Sequence, residues 1–349
     1  MAARAKPATI REVAALAGVS TATVSRTLRN SANVDPATRQ RVEEAARTLR
    51  YRPSNVARSL KLRSTRTIGL IVTDIENPYF PQIISAVEDA AREREHSVLL
   101  ADGRRDAERE LASLELLAER EVDGLIIASS TLTARHSERI AELPCPVVIV
   151  NNESTVPAVP AIVSDNLSGG RLAAEHLSDL GHRQVVYVAA PHDSNHAATD
   201  RFEGAAARFE ELGSPWSLEA VQAEAGVEGG YRAAQRALEE YPATTALLCY
   251  NDLTAVGGIR GLRAIGRSVP ADVSVMGFDD IEIAPYVDPA LTTVRQATTK
   301  MGRLAVDKLF EQLADGTEAE SEAADDAPGE TRRLPVELVI RDSTTAVRA

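Results

Sequence analysis

The sequence predicts a small all-α helix-turn-helix headpiece joined to an α/β body of two lobes, each a doubly wound parallel sheet. Three observations carry that reading. Near the start, apolar residues recur at helical spacing on either side of Gly18. From about Thr67 onward, short β-branched runs alternate with longer amphipathic stretches, the pattern of parallel sheets with helices on both faces. Charge is also divided along the chain. The 349 residues sum to −12, yet residues 1–66 hold fourteen Lys or Arg against four Asp or Glu, a net of +10. The remaining 283 residues carry 25 against 47, a net of −22. A segregated basic module is the electrostatic footprint of a phosphate partner, and the acidic body repels DNA and confines contact to that module. The plain alternative is a soluble surface of uneven charge.

Ile10, Val13, Ala14, Ala17, Val19, Val24 and Leu28 close on one another as two short helices. Gly18 supplies the turn, and Ser20 is placed to cap the second helix. Thr21, Ala22, Ser25 and Arg26 then face outward. Thr and Ser bond any base edge, Ala touches a thymine methyl, and Arg forks onto guanine or grips phosphate. A third helix over Pro36 to Leu49 is marked by Asp35 as cap and Pro36 at the first helical position, with Val42, Ala45, Ala46 and Leu49 as its apolar stripe. An ordinary helical hairpin is the competing reading. The following Tyr51 to Lys61 has Pro53 and Ser54 as a start signal and about two helical turns after it, too short to be stable alone. It reads either as a linker or, paired with a second copy on DNA, as a wedge that pushes Leu60 between base steps while Arg58 and Lys61 hold phosphates or base edges.

In the body, strands are expected at Ile68 to Val72, Ser97 to Ala101, Gly124 to Ala128, Val147 to Val150, Val185 to Ala189, Ala246 to Cys249 and Val273 to Phe278. Helices are expected at Phe80 to Arg94, Ala107 to Glu119, Leu167 to Leu180, Arg201 to Leu212, Tyr231 to Glu240 and Leu253 to Ile265, several stopped by glycine at Gly181, Gly213 and Gly266. About 280 residues exceed what one core of this kind holds, so two lobes are the better expectation. Residues 314–330 are low in complexity and strongly acidic and read as a surface loop or an acidic interaction patch. A last strand-like run spans Leu334 to Ile340.

At this point the chain resembles the LacI (lactose repressor) family. The resemblance rests on "VSTATVSR" at Val19 to Arg26, "YRPSNVARSLK" at Tyr51 to Lys61, Asp74-Ile-Glu-Asn-Pro-Tyr-Phe80, Arg120 to Leu125, Pro270 to Asp279 and Pro289 to Val294, all in one order. It implies a homodimeric, cytoplasmic transcriptional regulator, most often a repressor of carbohydrate uptake or catabolism genes, that binds a roughly palindromic operator in double-stranded DNA. It also implies a periplasmic-binding-protein-like sensor with a small-molecule effector, a sugar or sugar derivative, between its lobes. The implied organisation is a DNA-binding domain at 1–52, a hinge helix and linker at 53–66, and a sensor at 67–349. The two lobes would take about 67–163 plus 294–326, and about 164–293 plus 327–342. The DNA contacts carried over are Ser20, Thr21, Ala22, Thr23, Ser25, Arg26 and Arg29, then Tyr51, Asn55, Ala57, Arg58, Leu60 and Lys61. No leucine heptads follow the last strand-like run, so a dimer is expected rather than a tetramer.

Open parallel sheets bind ligands beyond the carboxyl ends of their strands. The residues standing there include Asp74, Asn77, Asn151, Asn152, Asp165, Asn195, Asn251, Asp252, Asp279 and Asp280. Carboxylates and amides together serve several hydroxyls at once, though Asp and Asn at strand ends are also ordinary turn formers. The resemblance selects Tyr79, Phe80, Asn151, Asp165, Arg201, Asn251, Asp252 and Asp279 as effector-binding, and Asn195 joins them from its place after a strand. Arg201 with Asp279 would form a forked clamp for a hydroxyl pair or ring edge. Ala225 departs from relatives that stack a planar ligand on an aromatic ring there, which speaks against a flat or purine effector. His192 and His196 stand in a loop without close counterpart and either tune ligand choice or, as loop histidines more often do, simply face solvent. No GxSxG, HExxH, Walker or GxGxxG motif occurs, so no catalytic residues, metal or cofactor are expected. Cys145 and Cys249 sit in separate apolar stretches, as reduced core thiols do. The N-terminus lacks a secretory apolar core, and no run reaches transmembrane length. The competing reading of the whole is a solute-binding or sugar-processing protein with a basic helical appendage.

Overall fold

The computed structural model describes residues 8–28, 34–51, 64–129, 132–191, 196–213, 217–315 and 329–347. Of the expected sites, Arg29, Asn55, Ala57, Arg58, Leu60, Lys61, His192 and Asn195 lie outside those residues, as does most of the acidic run. The chain forms two compact units, Met1–Thr65 and Arg66–Ala349.

The first unit holds α1 (Ile10–Ala17), α2 (Thr21–Leu28) and α3 (Pro36–Thr48). Thr9 and Glu12 make a reciprocal capping box at the start of α1, and Gly18 ends it at φ +66°, a left-handed conformation that glycine adopts without strain. Ser20 caps α2 by accepting the Thr23 N–H at 3.1 Å. Asp35 caps α3 by accepting the Thr38 N–H at 3.0 Å, with Pro36 just inside. Val13, Ala14, Ala17, Val24, Val42, Ala45 and Ala46 form the core.

The second unit begins with β1 (Thr67–Val72), α4 (Tyr79–Glu93), β2 (Ser97–Asp102), α5 (Ala107–Glu119), β3 (Gly124–Ala128), α6 (Ala134–Ala141), β4 (Val147–Val150) and β5 (Ala161–Ser164). It crosses to α7 (Asn166–Asp179), β6 (Gln184–Ala189), α8 (His196–Leu212), β7 (Ser217–Gln222), α9 (Gly226–Glu240), β8 (Ala246–Cys249), α10 (Asp252–Ala264) and β9 (Ser274–Met276). It then runs through β10 (Thr293–Arg295), returns as α11 (Thr298–Asp315) and β11 (Thr331–Leu334), and crosses again to β12 (Glu337–Val339).

The first sheet is ordered β11-β5-β4-β3-β1-β2 and the second β7-β6-β8-β9, both parallel throughout, while β10 and β12 pair antiparallel between them. Strands buried on both faces explain the unbroken Ile, Val and Leu runs, such as the fully buried Val147–Val150. One apolar cluster includes Ile68, Phe80 and Ile126 of the first lobe and Val186, Leu247 and Ile281 of the second.

Two expected boundaries are corrected. Thr331–Leu334 pairs with Ala161–Ser164, so it completes the first sheet rather than belonging to the second lobe, and the last crossing falls between Leu334 and Glu337. Pro335, which has no N–H for a ladder, splits the run that reads as one strand. Val294 is buried in the second-lobe core beside Phe278 and Met276, so that crossing falls after β10 and not before it.

Helix pairs in the second lobe pack unusually close. A Cβ at Gly170 of α7 would overlap the Arg201 carbonyl oxygen of α8, and one at Gly204 of α8 would overlap the Leu167 carbonyl oxygen of α7. The two glycines thus let backbone meet backbone, and the contact sits at the root of the Arg201 side chain.

Candidate functional site

A cavity in the second unit is lined almost wholly by residues that follow strand ends or open helices. Thr73, Asp74 and Asn77 follow β1, Arg105 follows β2, Asn151 follows β4, Pro191 follows β6, Tyr250 and Asn251 follow β8, and Asp279 follows β9. Tyr79 and Phe80 come from the first turn of α4, Ala197 and Arg201 from α8, and Ala225 from the N-cap of α9. The strand orders switch direction between β1 and β3 and between β6 and β8, and the cavity stands at those crevices.

Arg201 is its most constrained member, at 6% exposed. Its Nε donates to Asn166 Oδ1 at 2.9 Å and its Nη1 to the Tyr250 carbonyl at 2.6 Å. Nη1 also faces Asp279 Oδ1 at 3.6 Å, and the guanidinium lies 3.7 Å from the Phe278 ring centroid. None of these contacts uses Nη2. Asp279 has φ +131°, a strained conformation for a residue with a Cβ, held by its N–H to the Val294 carbonyl at 2.8 Å. Its Oδ1 accepts the Gln296 amide at 2.6 Å. Burial pushes its carboxyl up to about 8, Asp252 adding to the rise while Arg201 and the Gln296 bond oppose it.

From Gln296 the polar chain continues to the other lobe. The Tyr79 hydroxyl donates to Asn151 Oδ1 at 2.9 Å, with Gln296 Oε1 at 3.4 Å. Burial raises the Tyr79 hydroxyl and keeps it a donor. A buried polar chain therefore runs from Asn151 through Tyr79, Gln296 and Asp279 to Arg201, with Gln296 on the segment that crosses between lobes. A ligand seated over it would touch both lobes at once. Asp74 pairs with Arg105 at 2.7 Å on the first-lobe wall, and Asn251 Oδ1 caps α10 by accepting the Thr254 N–H at 2.9 Å.

The structure thus brings Tyr79, Phe80, Asn151, Arg201, Asn251 and Asp279 together and separates two other expected residues. Asp165 lines a neighbouring depression, where it caps α7 through the Ser168 N–H and hydroxyl at 3.0 and 2.7 Å. Asp252 does not line the cavity. It is fully buried, accepting the Ile281 N–H at 2.9 Å and the Thr293 hydroxyl at 2.5 Å. It ties α10 to the loop after β9 and to β10, and burial lifts its carboxyl to about 6. Asp280 is likewise engaged, by Arg295 and Arg341 at 2.7 and 2.6 Å. Thr73, Arg105, Pro191, Ala197 and Tyr250 complete the wall without having been selected from the sequence. Position after a strand was the available signal for Thr73, Arg105, Pro191 and Tyr250, and Ala197, inside a helix, had none.

In the headpiece, Thr21, Ala22 and Arg26 are exposed along α2, while Thr23 and Ser25 are half-buried. The Ser20 and Thr23 hydroxyls lie 2.9 Å apart and secure the helix start. Tyr51 packs on the headpiece core rather than standing free. Among the described residues no group of three or more His, Cys, Asp or Glu could hold a metal ion. None of their helices is long and apolar enough to cross a membrane.

Two family models match the chain: bacterial regulatory proteins of the lacI family over residues 9–54, and a periplasmic binding protein-like domain over residues 174–344. The HTH-type transcriptional repressor PurR of Mannheimia succiniciproducens is 35% identical over 347 residues, covering 97% of this chain and 99% of that protein. Among solved structures, the lac repressor dimer bound to operator and the anti-inducer ONPF superposes with a TM-score of 0.84 at 29% identity, covering 98% of this chain and all of the other. The complex of the transcriptional regulator CelR with cellobiose gives a TM-score of 0.70 at 30% identity, covering 96% of this chain and 99% of the other.

Proposed function

Because the chain belongs to the lacI family of bacterial regulatory proteins and is a DNA-binding transcriptional repressor rather than an enzyme, we propose that its cavity binds a sugar or sugar derivative whose occupancy controls operator binding. The observation that carries this is the lining itself. Arg201 keeps Nη2 uncommitted beside Asp279, and Asn151, Asn251 and Asp74 add amide and carboxylate groups around the same space. Donors and acceptors so interleaved serve vicinal hydroxyls. The CelR complex, with cellobiose bound, supports the same class.

A purine effector is the second reading, favoured by the name of the PurR relatives. Against it stands Ala225, which offers no ring for a planar base to stack on. A thermal-shift screen of the full chain against pentoses, hexoses, disaccharides and purine bases tests the two. A sugar is expected to raise the melting temperature. A shift with purines alone would replace the sugar reading, and a shift retained in both Arg201→Met and Asp279→Asn would place the ligand elsewhere.

The working form is a homodimer that grips a roughly palindromic operator, with the effector altering the angle between lobes and so the hinge segment. Supporting it, the edge strand β2 exposes Leu99 and Leu100 at 41% and 47%, and the second lobe exposes Ile283 and Tyr286 at 48% and 81%. Unpaired apolar edges of this kind favour burial in a second copy. Sedimentation equilibrium is expected to give a dimer that Leu100→Asp converts to monomer; a monomeric native chain at micromolar concentration would refute the assembly.

A further inference from the structure

Beside the effector cavity lies a second depression, sharing Asn151 and Ala197 with it. Its walls come from the loop after β4, the end of β5, the first turns of α7 and α8, and Arg333 of β11. Two of its residues are buried with unmade hydrogen bonds: Asn152 and Ser164, each 3% exposed, whose Nδ2 and Oγ have no partner. The Oδ1 of Asn152 is already used by the Glu153 N–H at 2.9 Å, so the orphan is a donor. Buried groups of this kind cost stability, and a native fold keeps them where something else satisfies them.

The charges around them are unbalanced. Glu153, Asp165 and Asp200 line the depression against one arginine, Arg333, which lies 2.5 Å from Glu153 Oε1. Asp165 is turned to its capping role, which leaves Asp200 as the carboxylate without a salt-bridged cation among the described residues. Burial together with Glu153 and Glu203 raises its carboxyl, which Arg333 and His196 only partly offset. A ligand fragment that fits must therefore bring a positive charge to Asp200, an acceptor to Asn152 Nδ2 and a hydroxyl for Ser164 Oγ.

We propose that this depression is a second small-molecule subsite that takes a hydroxylated group bearing an ammonium. The ammonium stands against Asp200, and a neighbouring hydroxyl accepts from Asn152 and exchanges hydrogen bonds with Ser164. The group is either a free amino-polyol or the aminated end of the effector itself; the second source alone rests on the sugar reading above.

Titration calorimetry of the full chain with glucosamine, in an amine-free buffer, tests this, with N-acetylglucosamine as the uncharged counterpart. Glucosamine is expected to bind at least tenfold more tightly than N-acetylglucosamine, and Asp200→Asn and Ser164→Ala are each expected to weaken it tenfold or more. Ser164→Ala is also expected to raise the melting temperature of the unliganded chain, because it removes a buried hydroxyl that has no partner. Arg201→Met separates the two sources. Binding retained in that variant, yet lost in Asp200→Asn, identifies a free ligand; binding lost in both identifies one molecule spanning both cavities. No glucosamine binding, binding indifferent to Asp200→Asn and Ser164→Ala, or equal affinity for the uncharged sugar overturns the proposal, whatever the fate of the effector reading.

Discussion

Arg201→Ala is expected to abolish the effector-induced thermal shift and to destabilise the unliganded second unit by about 3 kcal/mol or more, the cost of leaving the buried Asn166 and Tyr250 acceptors without their charged donor. The residue is 6% exposed and loses contacts to Asn166, Tyr250, Asp279 and Phe278 together. Its loss also removes the only arginine that lowers the Asp279 carboxyl, so proton uptake there increases. The sign with pH follows. A carboxyl held near 8 in the folded chain and 3.8 in the unfolded one favours folding at low pH, and that contribution is lost as pH rises through about 8. Asp279→Asn should flatten this slope, measured by denaturant unfolding at pH 6 and pH 9. An Arg201→Ala chain that keeps its ligand shift and its stability would remove Arg201 from the site.

Gly170→Ala is expected to cost about 1–3 kcal/mol, the range for forcing extra atoms into a packed interior, and to weaken effector binding although Gly170 touches no ligand. The atom its Cβ would meet is the backbone oxygen of Arg201, which cannot swing aside as a side-chain tip would. α7 and α8 must separate, and the guanidinium moves with α8. Gly181→Ala is the control. It strains a left-handed helix end at φ +84° but meets nothing within 4 Å, so it should lower stability and leave affinity unchanged. Equal affinities for the Gly170 variant and the native chain would show that the helix contact does not position Arg201.

The headpiece was legible in the sequence because its signals are local. Thr9, Gly18, Ser20, Asp35 and Pro36 each act within a turn of their own position. The glycines at 181, 213 and 266 stopped helices for the same reason, each at positive φ. Strands were legible where apolar residues dominate the run, β2 included although it is partly exposed, and missed where the run is short or polar. β7 reads Ser-Leu-Glu-Ala-Val-Gln at a sheet edge, with solvent on part of it. β5 is four residues long and follows Pro160, and β11 carries two arginines.

The candidate cavity was half legible. Strand-end position identified Asn151, Asn251 and Asp279, but it cannot tell a ligand group from a strut. Asp252 has the same chemistry as Asp279, yet its partners Ile281 and Thr293 lie 29 and 41 residues away, where only the tertiary fold brings them. Tyr250 directly follows the strand at Ala246–Cys249 and was not selected, although its carbonyl accepts from Arg201.

The pairing of β11 with β5 also bears on how the protein is made. As the chain leaves the ribosome, the first sheet emerges with β5 as an open edge and with one face only partly covered, because α11 and β11 are encoded after β6 to β10 of the second lobe. That lobe in turn lacks β12 until the same moment. Neither lobe can finish ahead of the other during synthesis, so the nascent sensor must hold an unpaired parallel edge from the completion of β5 at Ser164 until Thr331 is made. Pulse proteolysis of stalled nascent chains should find protection appearing in one late step, once residues 331–339 have cleared the exit tunnel.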